Sequence, residues 1–163
     1  MMPAYTLELC YYHGRSMISR SIECFTWGEI SHVAVRDPNE PRVWEAWQKG
    51  GVNKVPSIST NHSDRTRVDI YTVDLTEEQY HGIVAFLDAQ VGKPYDFWGV
   101  ASFVFRRNMG KEGAWFCSEL ALAAFMQAGL SLLVCPPFKA SPTVLSYNPV
   151  QYNKRVEFTS KGG

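Results

Sequence analysis

The sequence predicts an α+β fold in which an antiparallel sheet, or a small barrel, packs on helices. Three segments indicate this class: a strand–turn–strand pattern over residues 29–47, a helix with a capping box at Thr76, and an apolar helical run from Cys117 to Gly129. The chain has 163 residues, 45% of them hydrophobic, which is enough for one core. We therefore predict a single domain over residues 1–163.

The charge balance argues against several classes of partner. Sixteen basic and sixteen acidic residues cancel, and no basic run is longer than Arg106 and Arg107. We therefore expect neither nucleic acid nor an anionic membrane as a partner. No signal peptide and no run of eighteen apolar residues occurs, so we expect no stable membrane insertion and a cytoplasmic location by default. A place in a phage or exported assembly is the alternative, and the sequence sets no oligomeric state.

The four cysteines form no zinc or redox motif, since none lies at CxxC spacing. A chain with its own core does not need disulfides, so we expect free thiols. Cys10, Cys24 and Cys135 are expected to be inert. We expect no cofactor and no metal.

The N-terminal quarter predicts a strand and a short helix. Residues 5–12 are rich in β-formers and alternate in polarity, so they predict the first strand. Ser16 can cap a short helix that ends near Trp27 and Gly28.

An antiparallel hairpin follows, with strands at 29–36 and 42–47. If the ladder closes at Pro41, His32 lies directly opposite Glu45 on one face of the sheet. An imidazole beside a carboxylate is what a general base and its orienting partner require.

The middle of the chain predicts a turn at 49–52, then an exposed polar loop at 55–65 that rims a cleft. Residues 67–73 predict another strand. Thr76, with a glutamine three residues later, predicts the start of a packing helix that ends at Gly92.

Tyr95 is expected to face the site from the turn-rich aromatic loop at 92–99. An apolar run and a polar link lead from this loop to the helix that begins at Cys117. Near the C-terminus, residues 144–147 and 155–158 predict closing strands, and residues 160–163 a frayed end.

Cys117 is the candidate nucleophile. Apolar residues recur after it at three- and four-residue spacing, which predicts a helix with one buried stripe and Cys117 in its first turn. The free backbone N–H groups and the helix dipole at that position favour a thiolate. The amides of Cys117 and Ser118 would face the oxyanion of a tetrahedral intermediate. The alternative for a cysteine on an apolar helix face is a small buried hydrophobic residue.

Four segments together carry a family resemblance. They are residues 31–35 (SHVAV), 43–46 (VWEA), 92–96 (GKPYD) and 115–120 (WFCSEL). Their order, with the histidine strand ahead of the cysteine helix, resembles the circularly permuted branch of the NlpC/p60 papain-like superfamily, and within it the YiiX-like hydrolases. The resemblance spans roughly residues 12–130.

The resemblance implies a permuted papain-like fold and a cysteine peptidase or amidase that acts through a thioester. Cys117 matches the nucleophile, His32 the general base, Glu45 the residue that orients the imidazole, and Tyr95 a motif tyrosine near the cleft. Peptide, amide or acyl compounds are the implied substrates. No cell-wall-binding repeat accompanies the domain, so a peptidoglycan substrate is not supported.

Three alternatives remain open at this point. The first is a thiol acyltransferase of the lecithin:retinol acyltransferase type, and the second is a catalytically silent binding module in a phage or secretion assembly. The third is a metal site of His32, Glu45 and Cys117, which lacks a further ligand at metal-site spacing.

The remaining side chains that could take part in catalysis are assigned structural roles. We assign Glu119 to stabilising the positive helix N-terminus. The tryptophans are assigned to the core, although Trp47 or Trp98 could wall an apolar pocket. The other histidines are assigned to the solvated surface: His13, His62 and His81.

Overall fold

A computed structural model of the chain describes residues 5–14, 29–97, 113–147 and 151–157. The strands are β1 (Tyr5–His13), β2 (His32–Asp37), β3 (Arg42–Trp47), β4 (Gly51–Val55), β5 (Arg67–Leu75) and β6 (Gln151–Glu157). The helices are α1 (Glu77–Gln90), α2 (Cys117–Gln127) and α3 (Pro142–Ser146), with a 3₁₀ turn, η1, at Pro137–Lys139. The predicted α+β class is confirmed.

Several predictions lie outside the described residues. They concern the short helix from Ser16 to about Gly28, the apolar run that follows the aromatic loop, and the C-terminal end at 160–163. The predictions for Cys24, Trp27 and Trp98 also lie outside the described residues.

The six strands form one open antiparallel sheet in the order β4-β3-β2-β1-β5-β6, rather than a barrel. β1 lies near the middle, and all nine of its residues pair with β5 while five pair with β2. This position explains its burial, since every residue from Leu7 to Tyr12 is inaccessible or nearly so.

Hydrophobic residues pack on both faces of the sheet. On one face the strands pack with α1 and α2, through residues such as Leu9, Val35, Leu87 and Leu120. The other face carries a smaller cluster: Cys10, Tyr12, Ala34, Val43, Val68 and Ile70. The central strands are thus buried on both sides, so alternation along β1 separates two apolar sets rather than apolar from polar residues.

Helix α1 begins as predicted. The Thr76 hydroxyl accepts the Gln79 N–H at 3.2 Å, and the Gln79 side chain accepts the Thr76 N–H at 3.0 Å. This reciprocal pair satisfies two N–H groups that a helix start leaves free. Ile83 and Leu87 form its buried face, whereas Val91, the residue at its C-terminal cap, is 43% exposed.

Helix α2 is buried on nearly every side. From Cys117 to Phe125 only Glu119 is not buried, so the predicted single stripe is too narrow. The helix contacts β2, β3, α1, α3 and η1. Its first residue is therefore held beside the strands that carry His32 and Glu45.

The segment predicted as a turn and loop contains strand β4. Gly50 and Gly51 both have positive φ, which lets the chain reverse and pair again with β3. A Cβ on Gly51 would lie 2.1 Å from the Lys93 carbonyl oxygen, and that oxygen accepts the Val52 N–H at 2.8 Å. Close approach to the loop after α1 thus requires glycine at this position.

The predicted strand at 144–147 is wrong, because α3 occupies this segment. The Ser141 hydroxyl accepts the Val144 N–H at 3.2 Å, and Pro142 is the first helical residue. Serine at the cap and proline at the first position favour a helix start, and these signals outweigh the β-forming residues that follow. The other closing strand is found as β6.

The hairpin register differs by two residues from the prediction. Asp37 pairs with Arg42 and Val35 with Trp44, which by continuation puts His32 opposite Trp47 rather than Glu45. A one-residue slip would have moved the side chains to opposite faces, but a two-residue shift preserves the face. His32 and Glu45 therefore remain on the same side of the sheet as diagonal neighbours.

No helix within the described ranges is long and apolar enough to cross a membrane.

Candidate active site

The predicted contact between His32 and Glu45 is present. Nε2 of His32 lies 2.9 Å from Oε2 of Glu45, and both residues are buried, with exposures of 7% and 1%. His32 opens β2 and Glu45 lies within β3, so the pair depends on the hairpin.

Cys117 is the first residue of α2 and is only 2% exposed. Its thiol lies close enough to His32 to influence the pKa of the imidazole. Since Nε2 of His32 is occupied by Glu45, Nδ1 is the nitrogen left for the thiol. Burial disfavours the imidazolium, but the interactions with Cys117 and Glu45 outweigh it and raise the pKa of His32 to about 9. The imidazolium is the form that stabilises a neighbouring thiolate.

Two further side chains hold Glu45 from the loop after β4. Nδ2 of Asn61 donates to Oε1 at 2.6 Å, and Nε2 of His62 lies 3.1 Å from Oε2. Burial alone would raise the pKa of Glu45, but the bonds from His32 and His62 reverse this and lower it. Glu45 is therefore a buried carboxylate in its ionised form.

His62 was predicted to be a solvated surface residue, and this is wrong. Its side chain is 7% exposed and stacks on Tyr12 at a centroid distance of 3.8 Å, with Trp47 edge-on at 4.8 Å. Burial lowers the pKa of His62, although the bond to Glu45 opposes this. The polar segment around His62 has no periodicity that would reveal an inward side chain, so the sequence carried no signal for it.

Tyr95 lies close enough to Cys117 for the charge of the thiolate to act on its phenol. It forms a bridge with Trp115, in which the Asp96 N–H donates to the Trp115 carbonyl at 3.0 Å. Burial, together with the negative charges of Cys117 and Asp96, raises the pKa of Tyr95. Its phenol therefore remains protonated and able to donate.

The residues that follow Cys117 have structural contacts. The Ser118 hydroxyl donates to the Ala140 carbonyl, so only the Ser118 backbone amide is a candidate for an oxyanion. The Glu119 carboxylate accepts the Phe116 N–H at 3.5 Å, as expected for a residue that stabilises the helix start.

The other assigned side chains divide into confirmed and corrected ones. His81 is exposed on α1, as predicted, whereas His13 is not at the solvated surface: its side chain is 10% exposed, and Nε2 lies 2.8 Å from Oδ2 of Asp69. Trp47 meets the His32 ring edge-on at 5.3 Å, so it lines the site. Cys10, Cys117 and Cys135 are thiols rather than disulfides.

The site also contains a possible set of metal donors that differs from the one considered in the sequence. His32, Glu45 and His62 each offer one ligand atom, and these atoms lie within 4.8 Å of one another. Two imidazoles and one carboxylate are the protein ligands of many catalytic zinc sites, so the chemistry of the donors fits a divalent ion.

Comparison with known proteins defines the fold but not a family. No family model matches the chain, and no curated protein matches it. The chain is similar to the crystal structure of the metalloprotein yiiX from Escherichia coli O157:H7, a DUF1105 protein. The TM-score is 0.67 over 94% of this chain and 98% of the other, at 19% sequence identity. The chain therefore has a YiiX-like fold.

Proposed function

We propose that the chain is a thiol hydrolase, a cysteine peptidase or amidase of the permuted NlpC/p60 type. Cys117 is the nucleophile, His32 its proton partner and Glu45 the orienting residue. One observation carries the proposal: His32 interacts with Cys117 while its Nε2 is held by the buried Glu45 carboxylate at 2.9 Å. This is the arrangement in which a third group orients the base of a nucleophile.

In the first step the Cys117 proton resides on His32, and the thiolate attacks the carbonyl carbon of the substrate. A C–S bond forms, and the carbonyl electron pair moves onto oxygen. In this proposal the backbone amides at the start of α2 and the Tyr95 hydroxyl donate to the oxyanion. Removal of one such donor typically costs about 10²–10³ in turnover.

In the second step the carbonyl re-forms and the bond to the leaving amine breaks, while the amine takes the proton from His32. Water then attacks the thioester, gives its proton to His32, and releases a carboxylic acid and the Cys117 thiol. Glu45 keeps the imidazole in one orientation throughout, because its Oε2 accepts from Nε2. An acceptor other than water would make the same site an acyltransferase.

A second candidate function rests on His32, Glu45 and His62. The similar yiiX structure is that of a metalloprotein, and these three side chains would hold a divalent ion in this chain. Such an ion would supply a Lewis acid that polarises a carbonyl group. The thiol chemistry needs no such group, so the two candidates make different predictions for metal-free protein.

The test is alkylation of Cys117 by iodoacetamide at pH 6 in protein treated with EDTA, followed by peptide mass spectrometry. We expect rapid labelling in the wild type and a rate about a hundredfold lower in His32→Ala, because an ordinary thiol with a pKa near 8.5 is almost entirely protonated at pH 6. His81→Ala is the matched control, since this histidine is exposed on α1, and it should label at the wild-type rate.

Labelling that appears only above about pH 8 and does not depend on His32 would contradict the proposal. A positive result justifies a screen of peptide, amide and thioester substrates. Turnover that survives in Cys117→Ser would assign the activity to another group.

A further inference from the structure

A row of three aromatic rings leads from the residue before Cys117 to the protein surface. Phe116 is 1% exposed, Tyr95 meets it at a centroid distance of 5.8 Å, and Phe97 meets Tyr95 at 4.9 Å. Both contacts are edge-to-face, an arrangement that aromatic rings prefer. Phe97, at the outer end, is 63% exposed. The row therefore joins the buried surroundings of Cys117 to solvent through apolar surface.

We propose that Tyr95 and Phe97 form an apolar subsite, which binds an uncharged apolar group of the substrate beside the carbonyl that Cys117 attacks. The subsite rests on the proposed function, because Cys117 is the reacting group. It adds the substrate class that the mechanism leaves open. The expected substrates carry a group of the size of a phenylalanine or leucine side chain next to the bond that is cleaved.

Exposure alone does not make Phe97 a binding residue, because single exposed apolar side chains are common on protein surfaces. Phe97 differs in its contact with Tyr95. Burial, and then the charges of Cys117 and Asp96, raise the pKa of Tyr95, so this tyrosine lies within electrostatic range of the thiol. One ring thus separates exposed Phe97 from the surroundings of the nucleophile, and a substrate held at Cys117 extends across that ring.

The segment that carries both rings is held on two sides. Gly92 and Lys93 each form a 2.8 Å backbone hydrogen bond with Val52 of β4. Two further backbone bonds, each 3.0 Å long, join the segment to Trp115, which lies two residues before Cys117. The subsite and the nucleophile are therefore tied to each other through the backbone. A subsite that is already ordered loses little conformational entropy when a ligand binds.

The charges around the row favour an uncharged group over an anion. Asp96, between the two rings in sequence, is 2% exposed, and its charge acts on Tyr95. Burial also raises the pKa of Glu119, and the charge of Asp96 adds to this rise against the bond from the Phe116 N–H. A carboxylate or phosphate on a substrate would meet like charge here, and an unpaired charge is costly to bury. An apolar group meets neither cost.

The test compares three reagents that alkylate Cys117: iodoacetamide, N-benzyl iodoacetamide and N-iodoacetylglycine, which carries a carboxylate. Each rate constant is measured at pH 6 by peptide mass spectrometry in protein treated with EDTA. It is then divided by the rate constant of the same reagent with N-acetylcysteine, which removes differences in intrinsic reactivity.

In the wild type we expect the corrected rate of the benzyl reagent to exceed that of iodoacetamide at least about tenfold, because it buries an aromatic ring. The carboxylate reagent should react no faster than iodoacetamide. A benzyl reagent without this advantage would overturn the subsite, as would a carboxylate reagent that reacts as fast as the benzyl one.

Variants of Phe97 assign the preference to this side chain. In Phe97→Ala the ratio of the benzyl rate to the iodoacetamide rate should fall at least about fivefold, whereas Phe97→Leu keeps an apolar surface and should keep most of the preference. Met126→Ala is the matched control and should keep the wild-type ratio. This side chain is 43% exposed and lies at the other end of α2, about 14 Å along the helix axis from Cys117.

Two results with Phe97→Ala would overturn the subsite. One is a wild-type ratio, and the other is equal slowing with both reagents, which would show that Phe97 only supports the position of the thiol. A ratio in Phe97→Leu as low as in Phe97→Ala would also contradict an apolar subsite.

Failure of the subsite and failure of the proposed function give different results. Slow labelling of the wild type by iodoacetamide at pH 6 contradicts the thiol function, whatever the ratio between the reagents. Fast labelling by iodoacetamide without a preference for the benzyl reagent keeps the thiol function and overturns the subsite.

Discussion

Glu45 is the residue on which the candidate site depends. Three N–H donors converge on its carboxylate, from Asn61, His32 and His62, and the side chain is only 1% exposed. A buried charge is tolerable when its hydrogen bonds are satisfied and positive partners lie beside it. The orientation of His32 toward Cys117 is thus a consequence of how Glu45 is held.

We predict that Glu45→Gln slows Cys117 alkylation in metal-free protein at least about tenfold and lowers the free energy of unfolding by about 1–3 kcal/mol. Glutamine has one oxygen and one NH₂ group, so at least one of the three donors would face another donor. Labelling kinetics and urea denaturation measure the two effects.

Asp88→Asn is the matched control for Glu45→Gln. This carboxylate accepts bonds from Trp44 and Lys54 but is 40% exposed, so its loss should leave the labelling rate unchanged. An unchanged rate in Glu45→Gln as well would show that the carboxylate does not orient His32.

At the scale of elements, the turn of the β2–β3 hairpin is tied to α1. Oδ2 of Asp37 accepts bonds from Nη2 of Arg42 at 2.8 Å and from the Tyr80 hydroxyl at 2.6 Å, while Oδ1 accepts the Asn39 N–H at 3.0 Å. These contacts set where the hairpin closes, and hence the register that places His32 beside Glu45.

We predict that Asp37→Asn lowers the free energy of unfolding by about 1–3 kcal/mol at pH 7 and that this difference shrinks at low pH. Burial opposes the charged form, but the bonds from Tyr80, Arg42 and Asn39 outweigh it and lower the pKa of Asp37 below its ordinary 3.8. A lowered pKa adds stability above 3.8, and this stability is lost as pH falls through the folded value.

Urea denaturation from pH 7 to pH 2 tests this prediction. Asp74→Asn, at an exposed carboxylate on β5, is the control and should change stability by no more than about 0.5 kcal/mol. A deficit in Asp37→Asn that stays constant down to pH 2 would contradict the assignment of its stability to the charged carboxylate.

At the scale of the whole molecule, α2 is the element around which the other layers pack. It contacts β2, β3, α1 and α3, and most of its residues are inaccessible. The thiol at its start is therefore positioned by the core and not by a flexible loop. A substitution that disturbs the packing of α2 in the core should therefore also disturb the position of the Cys117 thiol.

We predict that Leu120→Ala, at a side chain with 1% exposure on α2, lowers the free energy of unfolding by about 2–5 kcal/mol. The loss combines reduced apolar burial with the cavity that remains. Met126→Ala on the same helix is the control, since this side chain is 43% exposed, and it should cost less than about 1 kcal/mol. Equal losses in the two variants, measured by urea denaturation, would show that α2 is not packed as described.

The sequence by itself determined the elements that have local signals. The capping box of Thr76 and Gln79 predicted α1, and the spacing of apolar residues after Cys117 predicted α2. Runs of β-forming residues predicted β1 and β3. It also brought His32 and Glu45 to one face of the sheet, because the period of a strand is two and survives a two-residue error in register.

Only the tertiary structure decided which loop reaches the site. His62 and Asn61 lie in a polar segment without periodicity, and the pairing of β4 with β3 turns this segment back onto Glu45. The helical form of α3 was also misjudged, because the cap at Ser141 outweighed the β-forming residues after it. A contact between a hairpin and a distant loop depends on long-range strand pairing, and that information is not contained in any local pattern of residues.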